Sequence, residues 1–278
     1  MRDHRSVIVA LLYFLLQTAA VPALCGTPPQ GPPDGAPPGT PPAKKNVGDR
    51  NDRRLFQRFI EDAAISSGGW AEMQYRYDNL PDGRDHFIGP LVAFKLVKDV
   101  EAGLRFGWLD VHPGTGPRGS GLSDLDLYAK YRFPGGRART AVGALVKLPT
   151  ADETEGLGTG ERDAELFAAW RADLEAVSIT ANAGFRFNGD PDAPLAHRND
   201  TLLLGGGILL PASPRLTIVI EGSYETNRIK DAADDARLTL GMQSRGPWGR
   251  GGFRGAVAIP LKDGAPDGEV ILGAFLTY

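Results

Sequence analysis

The chain has one cysteine, Cys25, in 278 residues, so no disulfide can close within it and no pair of thiols can hold a metal or run redox chemistry. Past residue 24 it has no apolar run of the ~18 residues that a membrane helix needs, which excludes helical spans from the body of the chain. It has no charge excess either: 31 Lys and Arg against 34 Asp and Glu give no footing for nucleic acid or for an anionic lipid surface. Histidine is scarce, with four in all (His4, His86, His112, His197). What is abundant is glycine. Many of the 36 glycines, including Gly103, Gly143, Gly184, Gly205, Gly207, Gly241 and Gly273, fall inside strand-like segments, where glycine marks bends, bulges or crowded barrel interiors.

Residues 1–25 read as an export signal. Arg2 and Arg5 give a basic start, "SVIVALLYFLLQTAAVPAL" supplies the apolar core, and Ala23 and Cys25 are small residues before a cut at Gly26. Acylation of Cys25 is the alternative, against which bulky Leu24 stands where a small residue is wanted. Residues 26–50 form a Pro/Gly-rich linker, carried by "TPPQGPPDGAPPGTPPA". In residues 51–67, "NDRRLFQRFIEDAAI" opens on Asn51 or Asp52 as a cap and sets Leu55, Phe56, Phe59, Ile60 and Ala63 at helical spacing, which predicts a short amphipathic helix.

From residue 68 to 278 the period changes to two. "SDLDLYAKYRF" is typical: Asp124, Asp126, Tyr128, Lys130 and Arg132 share one parity, and Leu125, Leu127, Ala129, Tyr131 and Phe133 the other. About twelve strands follow, at 69–78, 86–96, 100–110, 123–133, 138–148, 163–172, 176–187, 200–210, 215–225, 236–245, 250–261 and 269–278. Most approach the ~9 to 11 residues that a tilted strand needs to cross a hydrocarbon layer. Short connections ("VKD", "PGGR", "DLE", "PASP", "GPWG") alternate with long ones ("HPGTGPRGSGL", "PTADETEGLGTGE", "NGDPDAPLAHRN", "TNRIKDAADDA"), as short periplasmic turns alternate with long outer loops. The fold class expected is therefore all-β: a transmembrane antiparallel up-and-down β-barrel with a short N-terminal helix. An even strand number places both termini on the short-turn side, hence in the periplasm of a Gram-negative cell. Pro90 fits worst, because a closed barrel has no edge where a missing donor is harmless, and it predicts a bulge or a late strand start.

One parity of the strands is apolar, with Leu104, Phe106, Trp108, Val142, Leu166, Ile218, Leu240 and Leu272 among its members. The other holds the charges. Since a cation facing lipid at the midplane costs roughly 2 to 4 kcal/mol, these point to a polar interior. The lumen-lining residues expected are Glu72, Arg76, Glu101, Arg105, Asp124, Asp126, Lys130, Arg132, Lys147, Asp163, Glu165, Arg186, Glu221, Arg237 and Arg254. They either line a path or pair to close it.

The chain ends on "EVILGAFLTY", which resembles the C-terminal signal that presents the last strand of outer-membrane barrels to the insertion machinery, with Leu276 and Tyr278 as its apolar and aromatic positions. Over Leu91 to Phe187, "SGLSDLDLYAKYRF", "GALVKLPT", "GLGTGERDAELFAAW" and "ANAGFRF" resemble the outer-membrane proteins grouped with the MetA pathway of phenol degradation. That resemblance implies a barrel in the cell outer membrane that moves small, often aromatic or hydrophobic, molecules. The linker and helix are additions to the pattern.

The function expected is a passive channel or transporter, with a closed structural or adhesion barrel and a lipid-acting enzyme as alternatives. His86 and His197 are the histidines placed for the last, but no serine and acid stand beside them in sequence, so no enzyme and no cofactor is expected. The acids of "TADETEGLGTGE" lack the spacing of a calcium loop, so no metal is expected either. Partners expected are outer-membrane lipid, the barrel-insertion machinery and a small solute, not nucleic acid.

Overall fold

The computed structural model describes residues 52–116, 118–190, 198–229, 232–247 and 249–278. The expected signal and linker lie outside them, as does His197. Fourteen strand segments form one antiparallel sheet: β1 (Gly69–Leu80), β2 (Gly83–Val97), β3 (Val100–Arg105), β4 (Trp108–Pro113), β5 (Gly119–Leu122), β6 (Leu125–Arg132), β7 (Ala138–Leu148), β8 (Asp163–Asp173), β9 (Ser178–Phe187), β10 (Thr201–Pro211), β11 (Leu216–Glu225), β12 (Asp235–Arg245), β13 (Gly251–Pro260) and β14 (Gly268–Thr277). The long strand β2 pairs with β3 along one half and β4 along the other, while β3 pairs onward with β6 and β4 with β5. β3 with β4, and β5 with β6, are thus single wall strands interrupted once each, and the wall has 12 strand positions. β1 pairs with both β2 and β14, which closes the barrel.

The interruption has a cause in the sequence. Pro90 lies inside β2, opposite Met73 of β1, and presents its ring nitrogen to the side where β3 and β4 part at Phe106–Gly107. With no N–H to offer there, the ladder is replaced by other bonds: Phe106 N to Pro90 O at 3.4 Å, Gly107 N to Ser123 Oγ at 3.0 Å and Ser123 N to Gly107 O at 2.8 Å. The irregularity expected at Pro90 is expressed mainly in its neighbours.

Five connections, at 98–99, 133–137, 174–177, 212–215 and 246–250, share one end of the barrel with Gly68 and Tyr278. At the first, Asp99 adopts φ 65°, a conformation Asp tolerates. Hydrogen bonds from Arg132 Nε and Nη2 to Asp99 Oδ1, at 3.0 and 2.6 Å, fix that turn and hold the Asp99 carboxyl below its ordinary range. The other end carries the longer loops, except that residues 81–82 make a tight turn between β1 and β2. The loop at 149–162 folds over β5, where a Cβ on Gly119 would lie 1.9 Å from Glu155 O and one on Gly121 2.7 Å from Leu157.

The outer face is a band of exposed apolar side chains, among them Ile88, Phe94, Leu127, Val142, Leu166, Ile218, Leu240 and Leu272. The edge-to-face pair Tyr131–Phe133 stands at its short-turn border and the pair Phe185–Phe187 at its long-loop border. Such a surface belongs in hydrocarbon, not water. No α-helix occurs among the described residues. Residues 52–67, where the short helix is expected, instead run in turns through the barrel interior, almost entirely buried. The physical reason is that wall side chains take up the backbone groups a helix would pair internally, as described next.

A chain with this fold should fractionate with membranes and migrate faster on a denaturing gel unheated than after boiling, because the closed ladder resists detergent. Purely soluble protein with no mobility shift would contradict it.

Candidate functional site

The interior has two levels. At the short-turn end it is filled by residues 52–67. Leu55, Phe56, Phe59 and Ile60 pack on Leu209, Val219, Ala256 and Ile271 on one side and on Trp70, Leu91, Tyr128, Leu145, Phe167 and Phe275 on the other. Trp70 and Phe275 stack at 4.3 Å between ring centroids, with Phe59 tilted against Trp70 at 5.5 Å. Glycines make the room: a Cβ on Gly207 would come within 2.8 Å of the Leu55 side chain, and one on Gly241 within 2.5 Å of the Phe56 ring.

Polar wall groups satisfy the backbone of this plug. Glu221 accepts from three successive amides, Phe56 N at 2.7 Å, Gln57 N at 3.1 Å and Arg58 N at 2.7 Å. Lys130 Nζ donates to Ile60 O at 3.0 Å and Asp62 O at 2.8 Å, Arg171 Nη1 to Arg53 O at 2.9 Å, and Gln243 Nε2 to Asp52 O at 2.6 Å. Charges pair across the same boundary: Arg54 with Glu101 at 2.6 Å, Asp62 with Arg171 at 2.9 Å and Asp52 with Arg245 at 2.8 Å. Arg254 reaches Leu55 O and lies 4.2 Å over the Phe56 ring.

Above the plug, toward the long loops, is a vestibule of about 620 Å³ whose floor is Phe56 to Glu61. Phe87, Leu91, Leu109, Leu145 and Leu157 give it an apolar flank. Its charged residues are cross-linked: Arg105–Asp126 at 2.6 Å, Lys147 to Asp124 and Asp163 at 3.3 and 2.9 Å, Arg198–Asp163 at 2.8 Å, and Arg58–Glu225 at 3.0 Å.

The expected lumen residues divide between these levels. Glu72, Glu101, Lys130, Glu221 and Arg254 are buried against the plug or its immediate neighbours. Arg76, Arg105, Asp124, Asp126, Lys147, Asp163, Arg186 and Arg237 line the vestibule, with Glu165 buried beneath Arg186 at 2.7 Å. Arg132 sits at the short-turn end on Asp99. Of the expected assembly residues, Leu276 points outward from β14, and the Tyr278 carbonyl accepts from Gly69 N at 2.8 Å. The sequence reasoning missed Arg54, Arg58 and Asp62 of the plug, and Asp78 and Asp85 of the wall. The available signal was the density of charge in 52–62, too high on too many sides for a helix with one apolar stripe.

His86 lies on the outer face, its Nδ1 2.9 Å from the Tyr75 hydroxyl. His112 stands between Arg84 Nε, 3.0 Å from its Nδ1, and Asp110 Oδ1, 3.0 Å from its Nε2. Among the described residues no serine hydroxyl is hydrogen-bonded to a histidine.

The family described as "Putative MetA-pathway of phenol degradation" matches residues 96–245, more than half of the chain. The chain belongs to that family. No curated protein matches it. Among solved structures it is similar to the COG4313 outer membrane channel from Pseudomonas putida F1, with TM-score 0.59 and 14% identity over 78% of this chain and 98% of that one. It is also similar to the KdgM porin in complex with disordered oligogalacturonate (TM-score 0.52, 11% identity, 74% and 99% covered) and to the NanC porin (0.52, 6%, 75% and 98%). At these identities the likeness is one of fold.

Hydrogen bonds to a charged group contribute roughly 1.5 to 3 kcal/mol each, so Glu221→Gln should weaken the plug's hold by about 2 kcal/mol net, a change of about thirtyfold in its exposure. In an Ala64→Cys background the substitution should raise the labelling rate by a water-soluble maleimide accordingly. An unchanged rate would mean the three amides do not anchor the segment.

Proposed function

We propose that this protein is a passive outer-membrane channel for small molecules, oriented with its long loops outward and both termini in the periplasm, and shut by its own residues 52–67. One observation carries the reading. The wall behind the plug is polar and charged (Glu101, Lys130, Arg171, Glu221, Arg254), although a barrel closed for good would be filled more cheaply by apolar side chains. The plug continues into β1 through residue 68 but is otherwise held by noncovalent contacts, and it separates a loop-side vestibule from the short-turn end. The barrel fold, the family and the likeness to channels and porins support the same conclusion.

A closed structural barrel is the second reading, favoured by the fully buried Arg54–Glu101–Lys130 and Asp62–Arg171 clusters. Planar-bilayer recording separates the two. The intact chain should pass small, intermittent currents, and a variant lacking residues 52–67 should pass larger and steadier ones. If neither conducts while both show the heat-dependent gel shift of a folded barrel, the closed reading stands.

A further inference from the structure

Three acidic residues stand in one row across β2, β1 and β14. Asp85 is directly opposite Asp78, and Asp78 is directly opposite Glu269. All face the lumen beside the vestibule. Like charges placed directly opposite destabilise an antiparallel pair, so folding alone does not account for the row. Two cations serve it. Arg76 Nε lies 3.1 Å from Asp78 Oδ2 and 4.0 Å from Glu269 Oε1, and Arg237 Nη1 lies 2.8 Å from Glu269 Oε2. Arg237 is also bound to Asp235, so four acids share two arginines.

One oxygen of each carboxylate in the row, Asp85 Oδ1, Asp78 Oδ1 and Glu269 Oε1, is buried without a hydrogen bond. Asp78 and Glu269 are only 8% and 1% exposed, so bulk water does not compensate. The rest of the vestibule wall behaves differently, since Arg105, Lys147, Arg198 and Arg58 are each matched to an acid. Glu165 Oε1, beneath Arg186, is likewise buried without a hydrogen bond but stands alone, whereas this arc sets three such oxygens in one row. No group of three His, Cys, Asp or Glu among the described residues has the spacing for a metal ion. The cation that fits is one that donates several hydrogen bonds over a wider span, as an alkylammonium does with its three N–H groups. On the same face of β2, next to Asp85, follow Phe87 and Leu91, which offer an apolar and aromatic surface to whatever carries that ammonium.

We propose that this arc is a subsite for organic cations, taking the protonated amine of a small molecule on Asp78, Asp85 and Glu269 and its apolar body on Phe87 and Leu91. It deepens and rests on the reading of the vestibule as the solute-receiving end of a channel. The test is equilibrium binding by titration calorimetry to the full chain in detergent, with 2-phenylethylamine as probe and 2-phenylethanol and 3-phenylpropionate as its neutral and anionic counterparts. The amine should bind at least about tenfold tighter than either counterpart, and Asp78→Asn and Asp85→Asn should each lower that affinity about tenfold while leaving the alcohol unchanged. Asp85 is less buried than Asp78, so its substitution keeps the test valid should Asp78→Asn misfold, the gel shift reporting folding in each case. Equal binding of the three probes, amine affinity unmoved by a folded Asp85→Asn, or no amine binding by the folded parent would each overturn the proposal. Because conductance is not the readout, a barrel that binds the amine yet never conducts would defeat the channel reading and leave this one standing.

Discussion

Everything in this fold follows from the hydrocarbon layer's refusal to hydrogen-bond. A strand in lipid must give every backbone N–H and C=O to a neighbouring strand, so the sheet has to close, and β1 meets β14 as well as β2. Closure divides each strand into a lipid row and an enclosed row. The lipid row has no choice but to be apolar. The enclosed row is free to be charged, provided each charge finds water or a partner. The one place where the ladder cannot be completed, beside Pro90, is patched by Ser123 Oγ and two irregular backbone contacts instead of being left open.

Inside, the same accounting applies to a segment that forms neither helix nor strand. Residues 52–67 bring amides and carbonyls into a space with little water, and the wall supplies carboxylate, ammonium, guanidinium and amide groups to meet them. Glu221 does for three amides what a preceding turn of helix could never do, since the first N–H groups of any helix lack internal partners. The plug can thus stay irregular, and its large apolar residues can point several ways at once, into two separate wall clusters.

That multiplicity explains what the sequence disclosed and what it hid. Period-two alternation depends only on each strand's two surroundings, so "SDLDLYAKYRF" and its eleven counterparts could be located and their inward charges named from the chain alone. The break within β3–β4 and β5–β6 could not, because it arises from a proline on a third strand. The plug's spacing of Leu55, Phe56, Phe59, Ile60 and Ala63 imitates an amphipathic helix, but here burial is on all sides and the period carries no meaning. Arg53, Arg54, Arg58, Glu61 and Asp62, packed among those apolar residues, were the better guide, since a helix with one wetted face has no use for charges all round. Asp78, the last residue of the expected strand 69–78, and Asp85, one residue before the expected start at 86, escaped notice because they read as strand ends, whereas β1 and β2 run on into a tight turn.

The composition of the plug's contact surface bears on how it could leave. Phe56, Phe59 and Ile60 carry most of the favourable burial, at roughly 1.5 to 3 kcal/mol for each large side chain. The ion pairs add little net, because desolvating both partners consumes most of their attraction. On withdrawal the apolar contribution is lost, but Glu101, Lys130, Arg171, Glu221 and Arg254 regain hydration in the space vacated. A wall of leucines would gain nothing from that water and would favour staying dry. A charged wall would therefore lower the cost of an open state without lowering the specificity of the closed one, since plug groups meet matched partners there, Arg54 on Glu101, Asp62 on Arg171 and three amides on Glu221. The arc of Asp78, Asp85 and Glu269 lies just above this boundary, where a cation arriving from the loops would meet the floor formed by Phe56 to Glu61. Gln57 of that floor already donates to Glu269 Oε2, so a ligand drawn to the carboxylates competes for a contact that helps hold the plug in place.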